Sequence, residues 1–294
     1  MKLENNNKAH FEDYKIKSNI LNYVVLKITY KGLLSFDAFI EDFNTLLTQK
    51  GFVAEKDVLS PKDVVVMGEL EAYNESLNEP VVRFVKNKNT SRIVVTRSFT
   101  YIYLDYEAAH KLTSNIEIFS ELIKTIRKLN NFVIFEKVTL KKNNGVIVNN
   151  TNNILECFET RVFNNSPLEI NRIDKNKNVN LLFSKSSELF RWNEILYVVT
   201  RKIQKGKTKF LKKDGSVKEK QCYEITLDIQ GTIILEVFEQ ENKEYFDDIE
   251  SKIKNINSGL FEIFKLNTSS SFLRDMIEGE SKKIIGGLNK NEEI

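Results

Sequence analysis

Tyr23-Val24-Val25-Leu26-Lys27-Ile28-Thr29-Tyr30, followed by Phe36-Asp37-Ala38-Phe39-Ile40-Glu41-Asp42-Phe43-Asn44-Thr45-Leu46-Leu47, decides the fold class. The first stretch places Val24, Leu26 and Ile28 on one side of an extended chain, the period-two pattern of a strand. The second repeats Phe36, Phe39, Ile40, Phe43, Leu46 and Leu47 at helical spacing. Ser35 stands where an N-cap belongs, Asp37 complements the helix dipole in the first turn, and Gly51 supplies the stop.

Working outward, short apolar runs follow at 64–67, 81–85, 92–96 and 99–104, with Pro80 before the second and a polar turn at 87–90 before the third. Connections this short favour an antiparallel meander over parallel crossovers. A second amphipathic helix is expected over 115–129, with Ile116, Phe119, Leu122, Ile123, Ile126 and Leu129 inward, and a strand over 132–140. This half reads β-α-β-β-β-α-β. The Asn-rich stretch 143–153 then offers a boundary.

The second half is expected to hold strands at 155–163, 179–183, 195–199, 207–213, 222–229 and 232–238, with hairpin turns at Asp214-Gly215 and Gln230-Gly231. Phe246, Ile249, Ile253, Ile256, Leu260 and Phe264 mark a long closing helix, and a short one follows at 272–277. The fold class is therefore α+β, with antiparallel sheets each covered by a long amphipathic helix in two halves of similar pattern. The divisions expected are a mobile N-terminal arm at 1–19, subdomains at 20–145 and 154–278, and a flexible tail at 279–294.

The 294 residues suffice for a large core, and a net charge of +3 is too small to imply nucleic acid or an anionic membrane by itself. The polar, acid-bearing start MKLENNNKAHFEDYK does not read as a targeting segment, and no apolar run reaches the roughly 18 residues that span a bilayer. Cys157 and Cys222 lie far apart within strand-like runs, as buried thiols rather than a disulfide. The expected setting is the cytoplasm of a bacterium or its phage, with no membrane and no cofactor.

Several segments resemble a sporadically distributed family of uncharacterised bacterial proteins of about this length. They are Arg83-Phe84-Val85-Lys86-Asn87, Arg92-Ile93-Val94-Val95-Thr96, the tyrosine-rich 101–106, Ile118-Phe119 and Leu260-Phe261-Glu262-Ile263-Phe264. Lys137-Val138-Thr139-Leu140-Lys141-Lys142-Asn143-Asn144 keeps that family's basic–apolar–x–Leu–basic rhythm but lacks its Gly and Tyr. The resemblance covers 20–145 and 222–278, carries no catalytic motif, and implies an accessory gene, of the phage-defence or counter-defence kind.

Catalytic constellations are sparse. His10 and His110 are the two histidines, and two distant His with two distant Cys do not form a zinc set. The Glu250-Ser251-Lys252 and Glu280-Ser281-Lys282 triplets match a nuclease fragment that needs a strand, yet lie in helical or tail sequence. Gly206-Lys207-Thr208 imitates a phosphate loop, but Arg201 stands where its leading glycine belongs and no helix follows.

One feature rises above this background. Arg201, Lys202, Lys205, Lys207, Lys209, Lys212, Lys213, Lys218 and Lys220 face only Asp214 and Glu219, a local charge of +7 with Phe210 and Tyr223 interleaved. Such a hairpin suits either phosphate tracking or the protection of a sheet edge by lysine. The preponderance of Lys over Arg weighs against base-specific reading. The leading expectation is a non-catalytic accessory binding protein with a protein partner. The alternatives are a nucleic-acid-binding module using 201–220 and an enzyme whose carboxylates converge only in the fold.

Overall fold

The computed structural model describes residues 20–31, 36–56, 81–86, 90–109, 111–129, 133–148, 154, 156–159, 182–211, 217–235 and 248–278. Their frame is one nine-stranded antiparallel sheet in the order β2-β3-β4-β5-β1-β6-β9-β8-β7. The strands are β1 (Leu21–Lys31), β2 (Val53–Lys56), β3 (Val82–Lys86), β4 (Ser91–Val95), β5 (Phe99–Asp105), β6 (Ile134–Val148), β7 (Phe183–Trp192), β8 (Ile195–Leu211) and β9 (Val217–Ile234). The helices are α1 (Phe36–Gln49), α2 (Tyr106–Ala109), α3 (Leu112–Leu129), α4 (Ile249–Asn267) and α5 (Ser270–Glu278).

β1 sits at the centre, paired with β5 on one side and β6 on the other. Val24, Leu26, Ile28 and Tyr30 bury completely on its helix side, where they join apolar residues of α1, α3, α4 and α5 in one core. The Tyr30 hydroxyl avoids an unsatisfied burial by donating to the Thr96 carbonyl at 2.8 Å, beside Thr100 Oγ1. α1 ends as its sequence requires. Gly51 takes φ 83°, and the amides of Gly51 and Phe52 return to the carbonyls of Thr48 and Leu47, the Schellman closure. Asp105 caps α2, its carboxylate accepting from the amides of Glu107 and Ala108.

The second half departs from the sequence reading in several places. β8 and β9 are single long strands rather than several short ones. The turn expected at Gln230-Gly231 is instead mid-strand in β9. Gly231 is there because a β-carbon would lie 2.5 Å from Ile256 Cγ2 of α4. Of the strand expected at 155–163, the described part 156–159 is not a strand. Glu156 and Cys157 are helical, Phe158 makes one bridge to Thr268, and 160–163 lies outside the described residues. β6 continues through Asn143 and Asn144 to Val148, paired with β1 and β9, so the sheet passes unbroken through the first part of the Asn-rich stretch. β2 and most of β7 are additions to the expected strands, whereas 64–67, Asp214-Gly215 and the two termini lie outside the described residues.

Cys157 and Cys222 are both buried, with no disulfide between them. Among the described residues no helix is long and apolar enough to cross a membrane.

Candidate interaction surface

The basic ribbon exists as the β8–β9 pair, in register from Leu196↔Thr232 to Leu211↔Val217. Its first cation is structural. Arg201 Nε donates to Asn267 Oδ1 at 2.8 Å, at the end of α4, and Nη1 lies 2.9 Å from Glu188 Oε1 of β7. Lys202 points to the opposite side, its ammonium 5.9 Å from the Phe183 ring centre. Lys207 pairs with Glu219 at 3.3 Å. Lys205 and Lys207 continue the side of β8 that carries Tyr197, Val199 and Ile203. For Lys209, Phe210, Lys218 and Lys220 the structure fixes the backbone register alone, and Lys212 and Lys213 lie outside the described residues. The described members of the expected cluster thus lie on one ribbon, with Arg201 spent on Glu188 of neighbouring β7 and Lys207 on Glu219 within the ribbon.

Beside the ribbon lies a surface the sequence reading missed. β7 is the last strand of the sheet, paired only with β8 among the described residues. A two-residue loop, Asn193-Glu194, joins Trp192 to Ile195, with Asn193 at φ 55°. In such a hairpin the residues flanking the loop bond each other, and bonded and unbonded positions then alternate. The Lys205 amide accordingly donates to the Leu182 carbonyl. Backbone groups of Ser184, Ser186, Glu188 and Phe190 therefore turn toward β8, while those of Phe183, Lys185, Ser187, Leu189 and Arg191 turn outward. Apolar side chains accompany that open edge on both faces: Leu189 is 70% exposed, Phe183 56% and Trp192 44%. Adjacent Leu189 and Phe190 broke the alternation a strand search relies on. The legible signal was Trp192-Asn193-Glu194-Ile195, a turn between two apolar anchors.

The side of the sheet away from the helices carries a second unanticipated feature. Val25, Val94, Phe99 and Tyr101 form a small buried cluster there, extended by Tyr23 and Tyr103. Cations stack on it: Arg92 lies 4.2 Å from the Tyr103 ring centre, Lys27 4.9 Å from Phe99 and Lys141 5.8 Å from Tyr23. Asn22 donates to Asn143, which donates to Asp228. Burial, with Asp228 and Tyr103 adding to it, raises the Tyr23 phenol above its ordinary range. These contacts tie β1, β4, β5, β6 and β9 together.

Two further titratable groups stand apart, half-buried Lys142 and buried Cys157. Lys142 lies between Val24 and Ile229 on the helix side of β6, and burial brings its ammonium down to about 8. Burial, with Glu156 and Asp275 nearby, pushes the Cys157 thiol up to about 12. No Asp or Glu is among the buried side chains of the described residues. Glu250 and Lys252 lie on α4, as their sequence suggested, and His10 and His110 fall outside the described residues. No protein-family profile matches the chain, and no curated protein matches it either.

Proposed function

We propose that this protein is a non-catalytic accessory binding protein that engages a protein partner by strand addition at β7. The observation carrying this reading is an edge strand of 10 residues whose outward backbone groups no other described strand pairs, with exposed Phe183, Leu189 and Trp192. Such edges are templates for another strand, and folded proteins ordinarily shorten, cover or charge them. Main-chain bonds would supply affinity and the alternate side chains specificity. Ser187→Pro tests it, because that amide points outward and no backbone bond to β8 is lost, only the exposed hydroxyl contact with Thr200. A stoichiometric partner captured by the tagged protein should disappear with Ser187→Pro while the unfolding midpoint holds. Retention of the same partner by the proline variant removes β7 from the reading.

The scaffold supports a reading as two related halves that meet at β1 and β6, with the division before β6 rather than at the expected 146–153, which left β6 in the first half. In each half the strand before the final helix, β5 or β9, pairs with the half's first strand, β1 or β6. Sheet order then runs outward as β1-β5-β4-β3-β2 on one side and β6-β9-β8-β7 on the other. The long β7 edge thus closes the second half, and the short β2 edge the first.

A second reading is favoured by one observation. Arg201 marks the end of α4 through Asn267, yet the β8–β9 pair continues to Leu211↔Val217 beyond it. A ribbon extending past its covering helix suits phosphate tracking. Reversing Lys207, Lys209, Lys212 and Lys213 to Glu would then abolish salt-sensitive nucleic-acid binding without unfolding the protein; unchanged binding would exclude it.

A further inference from the structure

The side chains along β7 carry information about what pairs with them. Phe183, Lys185, Ser187, Leu189 and Arg191 stand on the sheet face away from the helices, because they pair with the β8 positions Gln204, Lys202, Thr200, Val198 and Leu196. On that face β7 and β8 present Lys185, Arg191 and Lys202 and no carboxylate. Glu188 points to the helix side and is held by Arg201. Among the described strands the nearest acids on the open face, Glu224 and Asp228, belong to β9, two strand spacings or about 9–10 Å from β7. Asp228 already accepts from Asn143.

The outward backbone groups belong to these same residues. An incoming strand would therefore set its own alternate side chains directly opposite Phe183, Lys185, Ser187, Leu189 and Arg191. That edge presents apolar, basic, neutral, apolar and basic positions in turn, with Lys202 behind the second.

We infer that the outer edge of β7, the last strand among the described residues, docks an extended acidic–apolar segment of another protein, whose carboxylates face Lys185 and Arg191 and whose apolar residues cover Phe183 and Leu189. This rests on β7 being the docking edge. A second copy of the chain fits poorly. In any antiparallel self-pairing centred on Ser186, Ser187 or Glu188, Lys185 comes opposite or diagonal to Lys185 or Arg191 of the other copy. Like charges so placed oppose pairing. The cations guard the edge against self-association and select an acidic strand, one arrangement serving both ends.

The test uses the full chain and a fluorescent peptide, Glu-Thr-Val-Thr-Thr-Thr-Glu-Thr-Val, whose odd positions meet Arg191, Leu189, Ser187, Lys185 and Phe183 when it runs antiparallel. A control peptide carries Lys in place of both Glu. Anisotropy should show saturable binding of the Glu peptide that weakens as salt is added, and roughly tenfold or more weaker binding of the Lys peptide. Lys185→Glu with Arg191→Glu should reverse that order, and Ser187→Pro should bind neither peptide. No saturable binding of the Glu peptide at low salt, or equal binding of the two peptides, overturns the inference. If Ser187→Pro abolishes partner capture while the peptides fail to discriminate, strand addition stands and the acidic partner falls. If the proline variant changes nothing in either assay, both fall.

Discussion

The Tyr197 hydroxyl of β8 occupies the space that a β-carbon on Gly259 of α4 would need, 1.9 Å from where that carbon would lie. Tyr197 also crowds Gly231, so one fully buried ring holds α4 close to two neighbouring strands and forces glycine at both approaches.

Gly259→Ala therefore sets two effects against each other. Helix propensity alone favours alanine by about 1 kcal/mol. Overpacking against a ring that cannot leave the core outweighs it, and a net loss of about 1–3 kcal/mol in urea unfolding is expected. Tyr197→Phe in the same background should restore part of the loss, since the nearest clashing atom is the hydroxyl oxygen. A double-mutant cycle with no coupling would refute the contact.

Lys142 makes stability rise in alkali. Its folded value of about 8 lies below the ordinary 10.5, so between those limits the unfolded chain holds a proton that the folded chain has released. Stability therefore increases with pH across that window, and below it the cost of holding a half-buried ammonium remains. Lys142→Met should gain about 1–3 kcal/mol at pH 7 and lack the rise from pH 8 to 10.5. The comparison is read as variant against parent, because other groups titrate there too.

The hairpin geometry of β7 gives opposite outcomes for adjacent prolines. Ser187→Pro loses no backbone bond to β8, only the exposed hydroxyl contact with Thr200, and should change stability by less than about 1 kcal/mol. Ser186→Pro removes an inward amide next to Arg201 and should cost about 3 kcal/mol. Equal effects in denaturant titrations would mean that the outward and inward sets are misassigned.

Arg201 is expected to behave unlike the lysines that follow it. Arg201→Ala strips both Glu188 and Asn267 of a partner and should cost about 1–2 kcal/mol. Lys207→Ala breaks only an exposed pair and should fall within about 0.5 kcal/mol of the parent. Chemical denaturation of the two variants separates structural cations from solvated ones.

Cys157 should resist alkylation in the folded protein. Its thiol is fully buried and raised to about 12, so the reactive thiolate is scarce at pH 8. Mass spectrometry after iodoacetamide treatment should find it modified only when denaturant is present. Rapid native labelling would show that the surrounding packing opens.

The sequence by itself determined the central strand, the three long amphipathic helices and the ribbon of positive charge. Those signals are local. Val24, Leu26 and Ile28 alternate because one side of β1 faces the core, and Ile253, Ile256, Leu260 and Ile263 recur because one stripe of α4 does. A turn read at Gly231, and the stretch Ser184-Lys185-Ser186-Ser187 to which the sequence assigns no element, were decided by tertiary structure. Glycine signals a turn or a close approach equally well, and only the arrival of Ile256 and Tyr197 selects the second. β7 carries no buried face to impose alternation, so its strand character comes from pairing with β8 rather than from its own residues. The charges that distinguish its edge were present in the sequence, but their separation onto opposite faces follows from register. Pairing with β8 sets Lys185 and Arg191 on the open side and gives Glu188 to Arg201, because side chains on a strand alternate in direction.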